Sequence, residues 1–235
     1  MNRRIYEIDL DFFNKIDLET CSLAGLLAAD GCITPKKKRI HIALNRKDRP
    51  ILETWRGKVN YSGPIGDYEH DTTNGHAQIS MLHITGVPQW LKVLEEVYNV
   101  TPNKSQTLKP PNLTEKEHIQ AFMSGYIDGD GSIMKKEKTD NRWKNPYTYI
   151  KWEVDVAGTL MMLEWFKKNI DEWYPPKKPY SGIDKRPHKN VYQFRFAGKR
   201  ALQFIEDLYK LPIPRLARKW DPAIEYIREQ QKRDG

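Results

Sequence analysis

The sequence predicts an α+β fold written twice, as two pseudo-symmetric repeats of helix, strand, strand, helix, strand, strand, helix (αββαββα), each with its own antiparallel sheet. Three observations carry this. Two nine-residue segments of nearly equal pattern begin at Leu23 and at Met123, one hundred residues apart. The landmarks that follow them come in the same order. The Lys109-Pro-Pro-Asn-Leu113 segment lies between, where proline blocks helix continuation, so the repeats are expected at 1–110 and 111–235.

The two segments read Leu-Ala-Gly-Leu-Leu-Ala-Ala-Asp-Gly, ending at Gly31, and Met-Ser-Gly-Tyr-Ile-Asp-Gly-Asp-Gly, ending at Gly131. Each predicts a short helix with its large residues (23, 26, 27 and 123, 126, 127) on one side and small ones opposite. Asp128 is the departure from the small side, and it is read as a packing or hydrogen-bonding position. Gly31 and Gly131 are expected to end the helices by supplying permissive backbone.

The first copy is followed by the alternating run 40–44 and then the helical run 51–55. The second is followed by the alternating run 149–156 and the helical run 161–166. Tyr-Ser-Gly comes next at Tyr61 and Tyr180, then strand-like stretches at 78–86 and 192–198, then apolar helices reaching Tyr98 and Tyr209.

Composition bounds the partner. Lys plus Arg number 39 against 31 Asp plus Glu, a net +8 expected of a protein that meets a polyanion. Cys21 and Cys32 form neither a CxxC pair nor a zinc spacing, which excludes a disulfide framework and suits a reducing intracellular compartment in phage-infected or bacterial cytoplasm or an organelle. No stretch approaches the apolar length that spans a bilayer, so a membrane partner is not expected.

The paired segments resemble the signature helices of the LAGLIDADG homing endonucleases, and the first copy departs from the family's letters at only two positions. The resemblance covers nearly the whole chain. It implies signature helices packed side by side, curved sheets forming a DNA-binding saddle, a monomer, and a site-specific, intron-encoded double-strand DNA endonuclease. Water activated by Mg²⁺ would hydrolyse one phosphodiester per strand of a long asymmetric target, with Mn²⁺ or Ca²⁺ substituting for binding. Asp30 and Asp130 are the implied metal-binding and catalytic acids, joined by the backbone carbonyls of Ala29 and Gly129. Physical chemistry agrees: two carboxylates ~4 Å apart repel by ~4 kcal/mol at an effective dielectric near 20, so a cation or a proton must offset them.

The resemblance further implies a basic residue near each active site and a polar residue at a strand end. Lys104 is the first-half basic candidate, and Arg215 or Lys219 the second. Asn45 and Arg46 are the first-half polar candidates, whereas the second half offers Ala157-Gly158, an asymmetry that would make strand cleavage unequal. Candidate DNA contacts are Lys36, Lys37, Lys38, Arg39 and His41 after the first motif, and Lys135, Lys136, Lys138, Arg142 and Lys144 after the second. The last hairpin adds Lys185, Arg186, His188, Lys189 and Arg195.

The competing reading is a maturase, with intron RNA as its partner, or a non-cleaving nucleic-acid-binding protein on the same fold. Both acids being present favours cleavage. An intein-borne domain is disfavoured, since the chain begins with Met and ends Arg-Asp-Gly.

Overall fold

The computed structural model describes residues 6–72, 75–141, 145–178, 180, 182–186 and 191–234. Its elements are α1 (Leu18–Ala29), β1 (Gly31–Thr34), β2 (Arg39–Asn45), α2 (Arg49–Lys58), β3 (Ile65–Thr72), β4 (Gly75–Thr85) and α3 (Pro88–Glu96). The pattern then repeats as α4 (Lys116–Asp130), β5 (Gly131–Asp140), β6 (Tyr147–Gly158), α5 (Leu160–Trp173), β7 (Ile183–Lys185), β8 (Tyr192–Ala197) and α6 (Lys199–Tyr209), followed by α7 (Ala217–Asp234). Among the described residues the strands form two antiparallel sheets of equivalent order, β1-β2-β4-β3 and β5-β6-β8-β7. The expected α+β repeat order is thus present.

Helix α7 is an addition to the expected elements. Its buried residues Trp220, Ala223, Ile224 and Ile227 keep helical spacing, but Pro222 interrupts the pattern. Pro222 is the sixth residue of the helix, beyond the first turn, so its missing N–H forgoes one i→i−4 backbone bond that the packing of these apolar residues must offset.

The chain divides into two compact units. Unit 1 comprises Met1–Gly129 and Ile213–Leu216, and unit 2 comprises Asp130–Pro212 and Ala217–Gly235. The signature helix α4 therefore belongs to unit 1 up to Gly129, together with α1. In unit 1 the alternation of β2 puts Ile40, Ile42 and Leu44 under the sheet with Leu82 and Ile84 of β4, against Leu23, Leu27, Trp55 and Trp90. In unit 2 Trp152, Val154, Val156, Phe194 and Phe196 have the same role beneath their sheet, and Trp152 meets Tyr226 of α7 at 5.9 Å between ring centroids.

Inside unit 1, α1 and α4 meet backbone to backbone. A Cβ at Gly25 would overlap the Phe122 carbonyl oxygen and stand 2.9 Å from the Tyr126 nitrogen. A Cβ at Gly125 would overlap the Ser22 carbonyl oxygen and stand 2.9 Å from the Leu26 nitrogen. The two glycines are thus reciprocal, each required by the other helix. Asp128, 2% exposed, accepts from the Leu216 amide at 3.1 Å, the hydrogen-bonding position expected of it. Helix α1 starts on a capping box in which Asp17 accepts from the Thr20 amide and Thr20 from the Asp17 amide. Burial pushes the Cys21 thiol of the same helix up to about 12, despite the hydroxyl of Tyr98 beside it, so this cysteine is a core residue and not a nucleophile.

One expectation is corrected. Neither Gly31 nor Gly131 has positive φ, so they are not conformational helix stops. Gly31 is needed for space, because a Cβ there would stand 2.5 Å from the Leu27 carbonyl oxygen and 2.7 Å from its Cα. This lets β1 leave α1 directly. The join between the repeats is also fixed: the Asn112 amide donates to the Val97 carbonyl at 2.7 Å, and the Asn112 side chain to the Glu96 carbonyl at 2.9 Å.

Gly125→Ala is expected to destabilise the chain by roughly 1–3 kcal/mol or more, because backbone and not a flexible side chain must yield. A urea-denaturation midpoint equal to that of the wild type would contradict the close helix contact.

Candidate active site and nucleic-acid face

Asp30 caps the C-terminus of α1, and its amide donates to the carbonyls of Leu26 and Leu27. It is half-buried. Gly129 lies beside it in unit 1: a Cβ on Gly129 would overlap the Ala29 Cβ and stand 3.1 Å from Asp30 Oδ2 and 3.2 Å from its Cγ. Glycine at this place lets the α4 backbone lie directly against Ala29 and the Asp30 carboxylate. Asp130, the next residue, ends α4 and is exposed.

A lysine serves each motif in the same way. In unit 1, Lys104 is 8% exposed, and its Nζ donates to the Gly31 carbonyl at 2.5 Å and to the Ala29 carbonyl at 3.4 Å. In unit 2, Lys219 Nζ donates to the Gly131 carbonyl at 2.8 Å. Each ammonium thus sits at the carbonyl-rich end of a signature helix, where the dipole favours a cation. Lys219 occupies in unit 2 the place that Lys104 has in unit 1. Arg215 falls instead in the 213–216 segment of unit 1, next to Leu216, whose amide binds Asp128.

The sheet register locates the polar positions. Gly31 pairs with Ile42, and Gly131 with Val156. Three residues further on stand Asn45 and Thr159, so Thr159, not Ala157-Gly158, is the second-half counterpart of Asn45. Both cap the next helical turn: Asn45 accepts from the Lys47 amide at 3.0 Å and Thr159 from the Met162 amide at 3.3 Å. Arg46 is ion-paired with Glu69 at 2.8 Å.

The same register sorts the basic residues. Arg39 and His41 alternate with the buried Ile40 and Ile42, which puts them on the outward face of the first sheet, while Lys36, Lys37 and Lys38 are exposed in the β1–β2 turn. In the second sheet Lys136, Lys138 and Arg195 alternate with the core-facing positions. Lys135 pairs with Trp152 and Lys185 with Tyr192, so these two share the sheet side of the core residues, though both are exposed. Arg186 is exposed beyond β7. Arg142, Lys144, His188 and Lys189 lie outside the described residues.

Several residues on these faces have no distinguishing signal in the sequence. His83 pairs with His41 in the ladder, their rings 5.4 Å apart, with Met81 and Thr85 on the same side. Burial lowers the pKa of His41, helped by His83, Arg39 and Lys104, and burial with Arg39 lowers that of His83. At the equivalent ladder position the second sheet carries Asp155 opposite Arg195, with Glu153 nearby, where the first sheet has Arg39. The two faces differ in kind.

No protein-family model matches the chain. Among curated proteins, 115 of its residues, 49% of the chain, match an A-type ATP synthase subunit from Methanopyrus kandleri at 25% identity, and the match spans 10% of that protein. Among solved structures the chain is similar to the LAGLIDADG homing endonuclease I-LtrWI bound to target DNA, with TM-score 0.55 and 12% identity over 96% of this chain and 92% of that one. It is similar to a variant of I-SmaMI with two lysines replaced by alanine, with TM-score 0.56 and 12% identity over 94% and 93%. It is also similar to the LAGLIDADG meganuclease I-AabMI bound to uncleaved DNA, with TM-score 0.53 and 12% identity over 91% and 90%. At these identities the likeness establishes the fold, which is that of the LAGLIDADG homing endonucleases. Among the described residues no helix is long and apolar enough to cross a membrane.

Because His41 and His83 have folded-state pKa values below the ordinary 6.5, the unfolded chain binds more protons between those values. Their contribution to stability is full above pH 6.5 and is lost as pH falls below it. Urea midpoints between pH 8 and pH 5 should decline more steeply for the wild type than for His41→Gln/His83→Gln. Parallel profiles would contradict the assignment.

Proposed function

We propose that this chain is a site-specific double-strand DNA endonuclease of the LAGLIDADG homing type, acting as a monomer and hydrolysing one phosphodiester per strand of a long asymmetric target. The observation that carries the reading is the close approach of Gly129 to the half-buried Asp30 carboxylate, with Asp130 following in the same helix. Nucleases of this fold bound to DNA, such as I-LtrWI, support it.

The residues fit a hard divalent cation. Asp30 and Asp130, with the carbonyls of Ala29 and Gly129, offer an all-oxygen donor set suited to Mg²⁺, and Mn²⁺ or Ca²⁺ could bind the same donors. When bound, such a cation supplies activation of water and stabilisation of the departing 3′ oxygen. The chain's own groups do the rest. The two carboxylates draw the cation and fix its place, and Gly129 keeps side-chain bulk away from Asp30. Lys104 and Lys219, anchored on the Gly31 and Gly131 carbonyls, hold a positive charge where a scissile phosphate would gain negative charge. Neither motif contains a histidine, so the proton passes to solvent. Asn45 and Thr159 act through the helix starts they cap. The outward sheet faces, with Arg39, His41, Lys136, Lys138 and Arg195, would take the duplex.

Incubation of the full chain with a randomised duplex pool in Mg²⁺ should yield cut molecules sharing one asymmetric sequence. Asp30→Asn and Asp130→Asn should bind that sequence without cutting it, and Lys104→Ala or Lys219→Ala should slow cutting by roughly 10²- to 10³-fold. Wild-type cutting rates in both aspartate variants would refute the reading.

A further inference from the structure

Basic residues of two electrostatic kinds line one cavity of unit 2. This open cavity of about 910 Å³ is bounded by β6, β8, the segment after α5 and the start of α6, with Glu153, Trp173, Lys177, Lys178, Arg195 and Lys199 among its walls. Arg195 is braced from behind. Its Nε lies 3.1 Å from Glu153 and its Nη2 3.2 Å from Asp155, while Lys136 reaches Glu153 at 2.5 Å and Gln193 donates to Asp155. Both carboxylates are 6% exposed, whereas 42% of the Arg195 side chain is exposed.

Two acids against Lys136 and Arg195 make a cluster with no net charge. Such a cluster has little pull on a phosphate several ångströms away. What remains is directional: the Nε–Nη2 edge of the guanidinium is spent on the acids, which hold its plane and leave the end-on edge, with its Nη1 and Nη2 hydrogens, for a further partner of this 42% exposed side chain. That edge matches the O6 and N7 acceptors of guanine in the major groove. Lys177, Lys178 and Lys199 are the opposite case. They are exposed and, among the described residues, carry no ion pair, so their charge is uncompensated. Such ammonium groups suit backbone phosphates.

Resting on the DNA reading above, we propose that this cavity receives a guanine-bearing stretch of the target duplex, with Arg195 reading the guanine edge and Lys177, Lys178 and Lys199 holding the neighbouring phosphates. The acids Glu153 and Asp155 are positioning residues that set the guanidinium plane and keep Arg195 from acting as a phosphate contact.

The test separates base reading from backbone holding. Duplexes bound by the full chain in Ca²⁺ are selected from a random pool, and affinity for the selected duplex is measured against salt. The wild type should require guanine at one position in one half of the site. Replacing that guanine by 7-deazaguanine, which removes only N7, should weaken binding by about 5- to 150-fold. Arg195→Ala should bind the guanine and 7-deazaguanine duplexes equally. Glu153→Gln/Asp155→Asn should lose the preference while its salt dependence steepens. Lys177→Ala/Lys178→Ala/Lys199→Ala should keep the preference, but the slope of log affinity against log salt should shrink by up to about 2.7.

If 7-deazaguanine at every guanine of the selected duplex leaves wild-type binding intact, the base assignment is overturned, and this arm needs no variant to fold. If the triple lysine variant keeps the wild-type slope, the backbone assignment is overturned. Absence of any sequence preference in the wild type would overturn the DNA reading as well as this one, which distinguishes the two failures.

Discussion

The reciprocal approach of Gly25 and Gly125 is the constraint on which the rest depends. Helices crowned with large side chains meet at about 8–10 Å between axes. Here each glycine faces a carbonyl of the other helix with no room for a methyl group. Rigid backbone, and not adaptable side chains, sets the spacing. One consequence is felt further along the same pair: Ala29 and Asp30 are drawn against Gly129, so the chain's last small residue before Asp130 faces the Asp30 carboxylate. The same crowding explains Gly31, where space under Leu27 decides the residue and the backbone angle does not.

An acid at the C-terminal end of a helix is unfavourable, since the exposed carbonyls already make that end negative. The fold answers with a lysine at each signature helix, Lys104 on Gly31 and Lys219 on Gly131. These ammonium groups neutralise the carbonyl ends in the absence of any substrate. Their structural role is thus in place, and the catalytic role proposed above would fall to the same side chains. This is why burying Lys104 to 8% exposure costs little: its charge has oxygen partners.

Much of the fold was legible because the code was repeated. The paired nine-residue segments, the alternation at 40–44 and 149–156, and the Pro-Pro join located the elements in order. Lys104 was singled out through the resemblance, and the structure places it on the Ala29 and Gly31 carbonyls. The illegible parts depended on register or on charge cancellation. For the polar position that the resemblance implies, the second half offered only Ala157-Gly158, whereas the pairing of Gly131 with Val156 points to Thr159. His83 was invisible as an isolated histidine until the ladder set it beside His41. Glu153 and Asp155 gave no signal because cations, not acids, mark nucleic-acid contacts in a sequence, yet they decide what Arg195 can do. Helix α7 was hidden by Pro222, and the sheet side on which Lys135 and Lys185 stand became visible only from their pairing with Trp152 and Tyr192.

The part of the proposed function that matters most is that both Asp30 and Asp130 are needed to hold the cation, and metal affinity tests it more directly than cleavage does. Calorimetric titration of Mn²⁺ into the wild type, Asp30→Asn, Asp130→Asn and the double variant forms a thermodynamic cycle. The account predicts that either single replacement removes most of the affinity and that the second adds little. Losses that simply add, or a single replacement that leaves Mn²⁺ binding unchanged, would show two independent carboxylates and contradict it.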